Sequence, residues 1–215
     1  MSPALIFVLA LFGVAMLGHV LVLLLRRKYS RDLVNLLMKG EYDAFDKKCD
    51  KFLVRYCISP FNLTYMRLNR YLMEGDAKKA SEIFEMFKGV KLKEKEKSDI
   101  AFKAFNFYLS QNDKENCAYY RDQINSLPQT DENKQAVEAV NLTYEVLFED
   151  NVDRLDELLE QTKQLEDMYK GGNEFLIAHI YEVKGDQKNA RKYTNLANKH
   201  TEMYQQELLK QAAGK

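Results

Sequence analysis

Tryptophan is missing from this 215-residue chain, and cysteine, proline and histidine occur only three times each. With so few prolines and 9 glycines, the polypeptide is not collagen-like, loop-rich or disordered. Three histidines leave little material for a metal site, and neither HExxH nor CxxC occurs. No GxGxxG and no GxxxxGKS/T is present, so no phosphate cradle is signalled. The pair Gly171-Gly172 stands alone and reads as a turn. No Ser–His or Cys–His arrangement is recognisable locally, so no catalytic, cofactor-binding or metal-ligating residue is nominated. The chain is expected to be a non-enzyme without a cofactor. An odd number of cysteines without a framework spacing suits a reducing compartment. On one helix Cys49 and Cys57 would stand about 12 Å apart, too far for a disulfide.

Charge of either sign is absent from Met1 to Leu25, although the whole chain balances 32 Lys+Arg against 32 Asp+Glu. The zero sum excludes a generally basic nucleic-acid binder. It is made of unlike parts. Residues 26–48 carry seven cations and four carboxylates, whereas 131–170 carry four cations and twelve carboxylates. The first excess suits an anionic lipid surface. The second reads as solvated helix surface or as a docking face for a basic partner. KLKEKEK, Lys91 to Lys97, alternates in sign and reads as a solvated linker running into a helix start.

Residues 4–25 form an uncharged run of 22, about 33 Å long as a helix against a hydrocarbon core of about 30 Å. No Lys or Arg precedes the run, and Arg26, Arg27, Lys28 and Arg31 follow it directly. That pattern predicts an uncleaved single-pass transmembrane anchor over 1–28 rather than a signal peptide. The bilayer is then a partner through residues 4–25. Positive-inside logic places the N-terminus outside and the body, 29–215, in the cytoplasm. His19 reads as a neutral histidine near one end of the span. Gly13 and Gly18 are five apart, so no GxxxG spacing signals homo-oligomerisation.

Beyond Tyr29 apolar residues recur at three and four, as in Leu155, Leu158, Leu159 and in Ala190, Tyr193, Ala197, His200, Tyr204, Leu208. No strand pattern appears, so the body is expected to be all α. Turn residues punctuate it at Gly40, Gly75, Asn112, Asp150 and Gly185, at gaps of 35, 37, 38 and 35 residues. Gly, Asn and Asp tolerate left-handed backbone or cap the following helix. A second set of breaks falls near Ser59-Pro60, Gly89 to Lys97, Leu127 to Thr130 and Gly171-Gly172. The N-x-S/T matches at Asn62 and Asn141 fall near or within helices and read as chance.

Ala178, Tyr181, Gly185, Ala190 and Ala197 stand at the spacing of a small residue, an aromatic, a turn glycine and two close-packing alanines. The Gly75 unit keeps Tyr71, Ala80 and Phe84, and the Gly40 unit keeps Tyr42. The Asn112 unit keeps Tyr108 but has Cys117 in place of the small alanine. The Asp150 unit departs most, with Val146 and Leu155. Over about 185 residues the chain resembles the tetratricopeptide-repeat family, built of helix pairs of about 34 residues. The resemblance implies an α-solenoid of four to five helix-turn-helix repeats behind the transmembrane helix, its first helices lining a concave groove. Positions ten and six before each turn would face that groove: Tyr65 and Asn69, Phe102 and Asn106, Val140 and Tyr144, Phe175 and His179. Aromatics supply apolar contact there and amides pair with a peptide backbone.

The function expected from the sequence is a membrane-anchored scaffold that recruits or tethers another protein or peptide through this groove, with no nucleic acid involved. Two alternatives stand beside it. One is an enzyme or enzyme subunit using the groove as its cleft. The other is an extracytoplasmic envelope-assembly factor.

Overall fold

The computed structural model describes residues 3–213 apart from Gln129 and Glu132, without the side chains of 3–11, 14, 212 and 213. Among the described residues every regular element is helical. The chain divides into two compact units, Met1–Lys91 and Leu92–Lys215.

The first unit contains α1 (Pro3–Met38), α2 (Tyr42–Cys49), α3 (Phe52–Cys57), α4 (Pro60–Glu74) and α5 (Ala77–Lys88). Its core joins Leu33 and Leu37 of α1 to Phe45 and Cys49 of α2, Val54 of α3 and Leu63 of α4. Cys49 and Cys57 therefore sit on different helices, with Asp50 and Lys51 breaking the chain between them. Ser59 accepts the Asn62 amide at 3.3 Å and Pro60 opens α4, so the Ser59-Pro60 break is a helix start.

The second unit contains α6 (Glu94–Ser110), α7 (Lys114–Asn125), α8 (Lys134–Glu149), α9 (Leu155–Gln164), α10 (Gly171–Val183) and α11 (Gln187–Ala213). Short 3₁₀ turns at Val152–Arg154 and Asp167–Tyr169 lead into α9 and α10. One core gathers Leu142 and Val146 of α8, Leu158 of α9 and Leu176, Ile177 and Ile180 of α10. The α6–α7 hairpin buries Ala104, Phe105, Tyr108, Cys117 and Tyr120.

The five predicted turn residues are the five with positive φ among the described residues: Gly40, Gly75 and Gly185 at 70–78°, Asn112 at 54° and Asp150 at 51°. Three of these turns share one construction. Asp76, Asp113 and Asp186 donate their amides to Tyr71, Tyr108 and Tyr181 at 2.9–3.0 Å. The preceding Gly75, Asn112 and Gly185 donate to Leu72, Leu109 and Glu182. This is a Schellman closure, which satisfies the last carbonyls of the first helix and requires left-handed backbone at its end. The same aspartates then cap the next helix, accepting the amides of Lys79, Asn116 and Asn189 at 3.0–3.1 Å.

Those amide bonds hold the Asp76 and Asp186 carboxyls below their ordinary value of 3.8, with the side chains of Lys79 and Asn189 assisting. Their stabilising contribution is in place above the ordinary carboxylate range and is lost as pH falls through the lowered folded value. Asp113→Ala removes the cap of α7 together with the 2.8 Å bond from the Asn116 amide side chain. It is expected to lower stability by about 1 kcal/mol in urea denaturation, with Asp113→Ser retaining most of it. The Asp150 turn departs from the pattern, since Asn151 donates back six residues to Glu145 at 3.1 Å.

Tyrosines twelve residues apart close two of the hairpins. Tyr108 stacks on Tyr120 with centroids at 5.7 Å, and Tyr181 stacks on Tyr193 at 5.6 Å. The small residue between them is buried in each case, Cys117 in one hairpin and Ala190 in the other. Burial pushes the Cys117 thiol up to about 12 and the Cys49 thiol up to about 11, and all three cysteines are free. Cys117 is thus a small core residue.

Two expectations are corrected. Among the described residues no helix is long and apolar enough to cross a membrane. The single-pass transmembrane anchor, and the placement with N-terminus outside and body cytoplasmic, fall with that finding. Within the predicted span 4–25, the side chains of 4–11 and 14 lie outside the described residues. The helix does not end at the basic residues, because Arg26, Arg27, Lys28 and Arg31 are positions within α1, which continues to Met38. Downstream, Asp32 of α1 takes an ion pair from Lys48 of α2 at 2.6 Å, tying the helix to the unit's core.

The second correction concerns Gly171, which opens α10 instead of forming a turn. A Cβ there would meet Thr201 Oγ1 at 2.6 Å, and the Ala197 carbonyl oxygen and Thr201 amide nitrogen at 3.2 Å. The glycine is needed because α11 passes against it, whereas Gly172 has open space.

Candidate partner-binding site

A groove of about 850 Å³ opens in the second unit between α8 and α9, with the start of α10 at one side. On α8 its lining falls at Gln135, Glu138, Ala139, Leu142 and Glu145, spaced by three and four so that they share one face. On α9 Glu157, Gln161 and Gln164 repeat the rule, and Leu165 and Asn173 complete the wall. The apolar members Ala139, Leu142 and Leu165 are a minority among amides and carboxylates.

One end of the groove is organised by Arg154. Its Nε donates to Glu145 Oε2 at 3.0 Å and its Nη1 to Glu157 Oε2 at 2.7 Å, while Gln161 donates to the other Glu157 oxygen at 3.1 Å. Asn141 is committed as well, exchanging two amide hydrogen bonds with Asn125 at 2.9 and 3.0 Å. Gln135, Glu138, Gln164 and Asn173 remain. They line the same groove, and their side chains make no hydrogen bond or ion pair within the described residues. Three amides, each able to donate and accept, and one carboxylate therefore face open space together. These are positions that sequence reasoning did not single out. The surrounding acidic stretch was visible, but amides spaced by three and four on two helices look like any solvated face until the helices are brought together.

The nominated groove positions have varied surroundings. Phe175 is 54 % exposed on α10. One turn on, His179 Nε2 lies 3.2 Å from Asp150 Oδ1, which ties the helix to the turn after α8. Tyr144 is 4 % exposed, its ring covered by the Arg121 guanidinium at 4.0 Å and tilted against Phe148 at 5.2 Å. Its neighbour Val140 is also buried. On α6, Phe102 is half-buried and Asn106 exposed. In the first unit Tyr65 and Asn69 are half-buried on α4, and the Tyr65 ring stacks on Phe61 at 5.9 Å.

A polar pair lies beneath the α10–α11 surface. His200 Nδ1 stands 2.7 Å from Glu174 Oε2, and the two side chains are almost wholly buried. His200 belongs to the periodic face read from the sequence, while nothing in the sequence singled out Glu174. Burial continues along that face only as far as His200, and Tyr204 and Leu208 beyond it are exposed. Tyr169 meets Tyr204 with ring centroids at 5.9 Å. No group of three or more His, Cys, Asp or Glu among the described residues is placed to hold a metal. Compared with known proteins, the chain matches no family model, no curated protein and no solved structure.

Proposed function

We propose that this chain is a protein-interaction module of helical hairpins, similar to tetratricopeptide repeats, that recruits or tethers a partner through a peptide-sized groove in its second unit. The observation that carries the reading is the α8–α9 groove, in which Gln135, Glu138, Gln164 and Asn173 face open space without a partner of their own. A polypeptide backbone presents alternating donors and acceptors, which is what amide side chains on two facing helices satisfy. Glu138 adds a preference for a cation on the incoming chain. Leu142 and Leu165 supply apolar contact beneath.

Site-specific photocrosslinking tests this. A benzophenone side chain placed at Gln164 or at Gln135 is expected to capture the same partner, whereas one at the exposed Lys78 of the first unit captures none. Capture equal at all three positions, or absent from both groove positions, would reject the groove as the binding surface.

A further inference from the structure

The first unit carries a second surface with the opposite character. On the short helix α3, Phe52 and Tyr56 are 79 % and 69 % exposed, and their rings lie nearly parallel with centroids 6.3 Å apart. Large apolar side chains this open are ordinary when scattered singly, but these two are paired beside a cavity. The cavity, of about 630 Å³, lies between α3 and the start of α4, with Leu63 among its lining residues. Helix geometry accounts for the arrangement. Val54 and Cys57 turn into the core, which leaves Phe52, Arg55 and Tyr56 on the opposite side.

The charge around the ring pair has one dominant sign. From Asp46 to Arg67 there are five cations and two carboxylates. Arg67 is engaged by Asp50 at 2.8 Å and Lys48 by Asp32 at 2.6 Å. Lys47, Lys51 and Arg55 make no ion pair within the described residues, and Arg55 lines the cavity itself. The cavity's own charged lining is Asp50 and Arg67, which are paired, and the unpaired Arg55, with the exposed Lys51 next to Phe52 in the chain. An aromatic pair beside this net positive concavity is complementary to a chain carrying carboxylates around an apolar anchor.

We propose that the α3–α4 cavity is a docking site for an acidic peptide segment of a partner protein. The anchor is an aliphatic or aromatic side chain set against Phe52, Tyr56 and Leu63, and flanking carboxylates meet Arg55 and Lys51. The concave shape favours a peptide over a lipid surface, because a cavity walled by two helices receives a side chain and not a plane of headgroups. This site is separate from the α8–α9 groove and stands or falls independently of it.

The test is selection from a random dodecapeptide display library on the full chain, followed by anisotropy titration of the selected peptides. The expected consensus is two or more Asp/Glu around a Leu, Phe or Tyr. Affinity should fall at least tenfold for Phe52→Ala/Tyr56→Ala and for Arg55→Glu, and also when the peptide carboxylates are replaced by lysines. All three altered side chains are exposed, so circular dichroism should confirm an unchanged fold. Selection of basic or uncharged peptides, or of acidic ones that bind the variants as well as the parent, overturns the proposal. So does no enrichment. Binding of phosphatidylserine vesicles in place of peptides, or self-association lost in these variants without peptide binding, assigns the surface to another occupant and equally overturns it.

Discussion

Glu174→Ala is expected to lower stability by about 3 kcal/mol or more, one of the two largest effects anticipated for this chain. The Glu174 carboxylate and the His200 ring face each other at 2.7 Å with side-chain exposures of 4 % and 6 %. Removing either partner leaves the other buried without its hydrogen bond and opens a void between α10 and α11. His200→Ala should therefore cost a similar amount, and urea denaturation would measure both. The informative comparison is Glu174→Met combined with His200→Leu. A buried polar pair replaced on both sides by apolar groups of similar volume is commonly near neutral. The double variant should then recover most of what either alanine loses. If the double variant were as unstable as the sum of the single ones, the two residues would not be acting as a pair.

The other large effect is at Gly171, where Gly171→Val should destabilise by about 3 kcal/mol. A side chain there would run into Thr201 Oγ1 at 2.6 Å, and also into the backbone of α11 at 3.2 Å through the Ala197 carbonyl and the Thr201 amide. A hydroxyl can rotate away, but a helix backbone has nowhere to move without parting α10 from α11. Thr201→Ala in the same chain should thus restore only part of the loss. Gly172→Ala, next in sequence, has nothing within 4 Å of its added carbon and should be close to neutral or slightly stabilising. Thermal melts of the three variants would decide it. A Gly171→Val protein melting with the parent would show that the helices do not approach as closely as described.

These two positions mark where sequence reading stopped. A glycine pair after a polar stretch has the composition of a turn, and periodicity cannot tell an N-terminal helical glycine from a loop one. Only the passage of α11 against α10 separates the roles of Gly171 and Gly172. Glu174 is similar. A glutamate in the first turn of a helix is ordinarily solvated, and its burial here follows from facing His200 twenty-six residues later. The unpartnered amides of Gln135, Gln164 and Asn173 were equally unreadable, since their meaning lies in sharing one groove. The N-terminal run failed for a different reason. Its composition matched a membrane span by length and flank, yet among the described residues no helix is long and apolar enough to be one.

By itself the sequence determined the helical class of the body and the position of every left-handed turn among the described residues. Both are local matters. Spacing of three and four selects a helix, and a Schellman closure followed by an aspartate cap needs only a few neighbouring residues with the right backbone freedom and side-chain oxygen. The tertiary structure alone decided which polar groups are buried in pairs, which glycine is a contact, and which faces are left open. Those depend on residues far apart in the chain. The groove between α8 and α9 and the aromatic, basic cavity beside α3 exist only once the helices around them have packed.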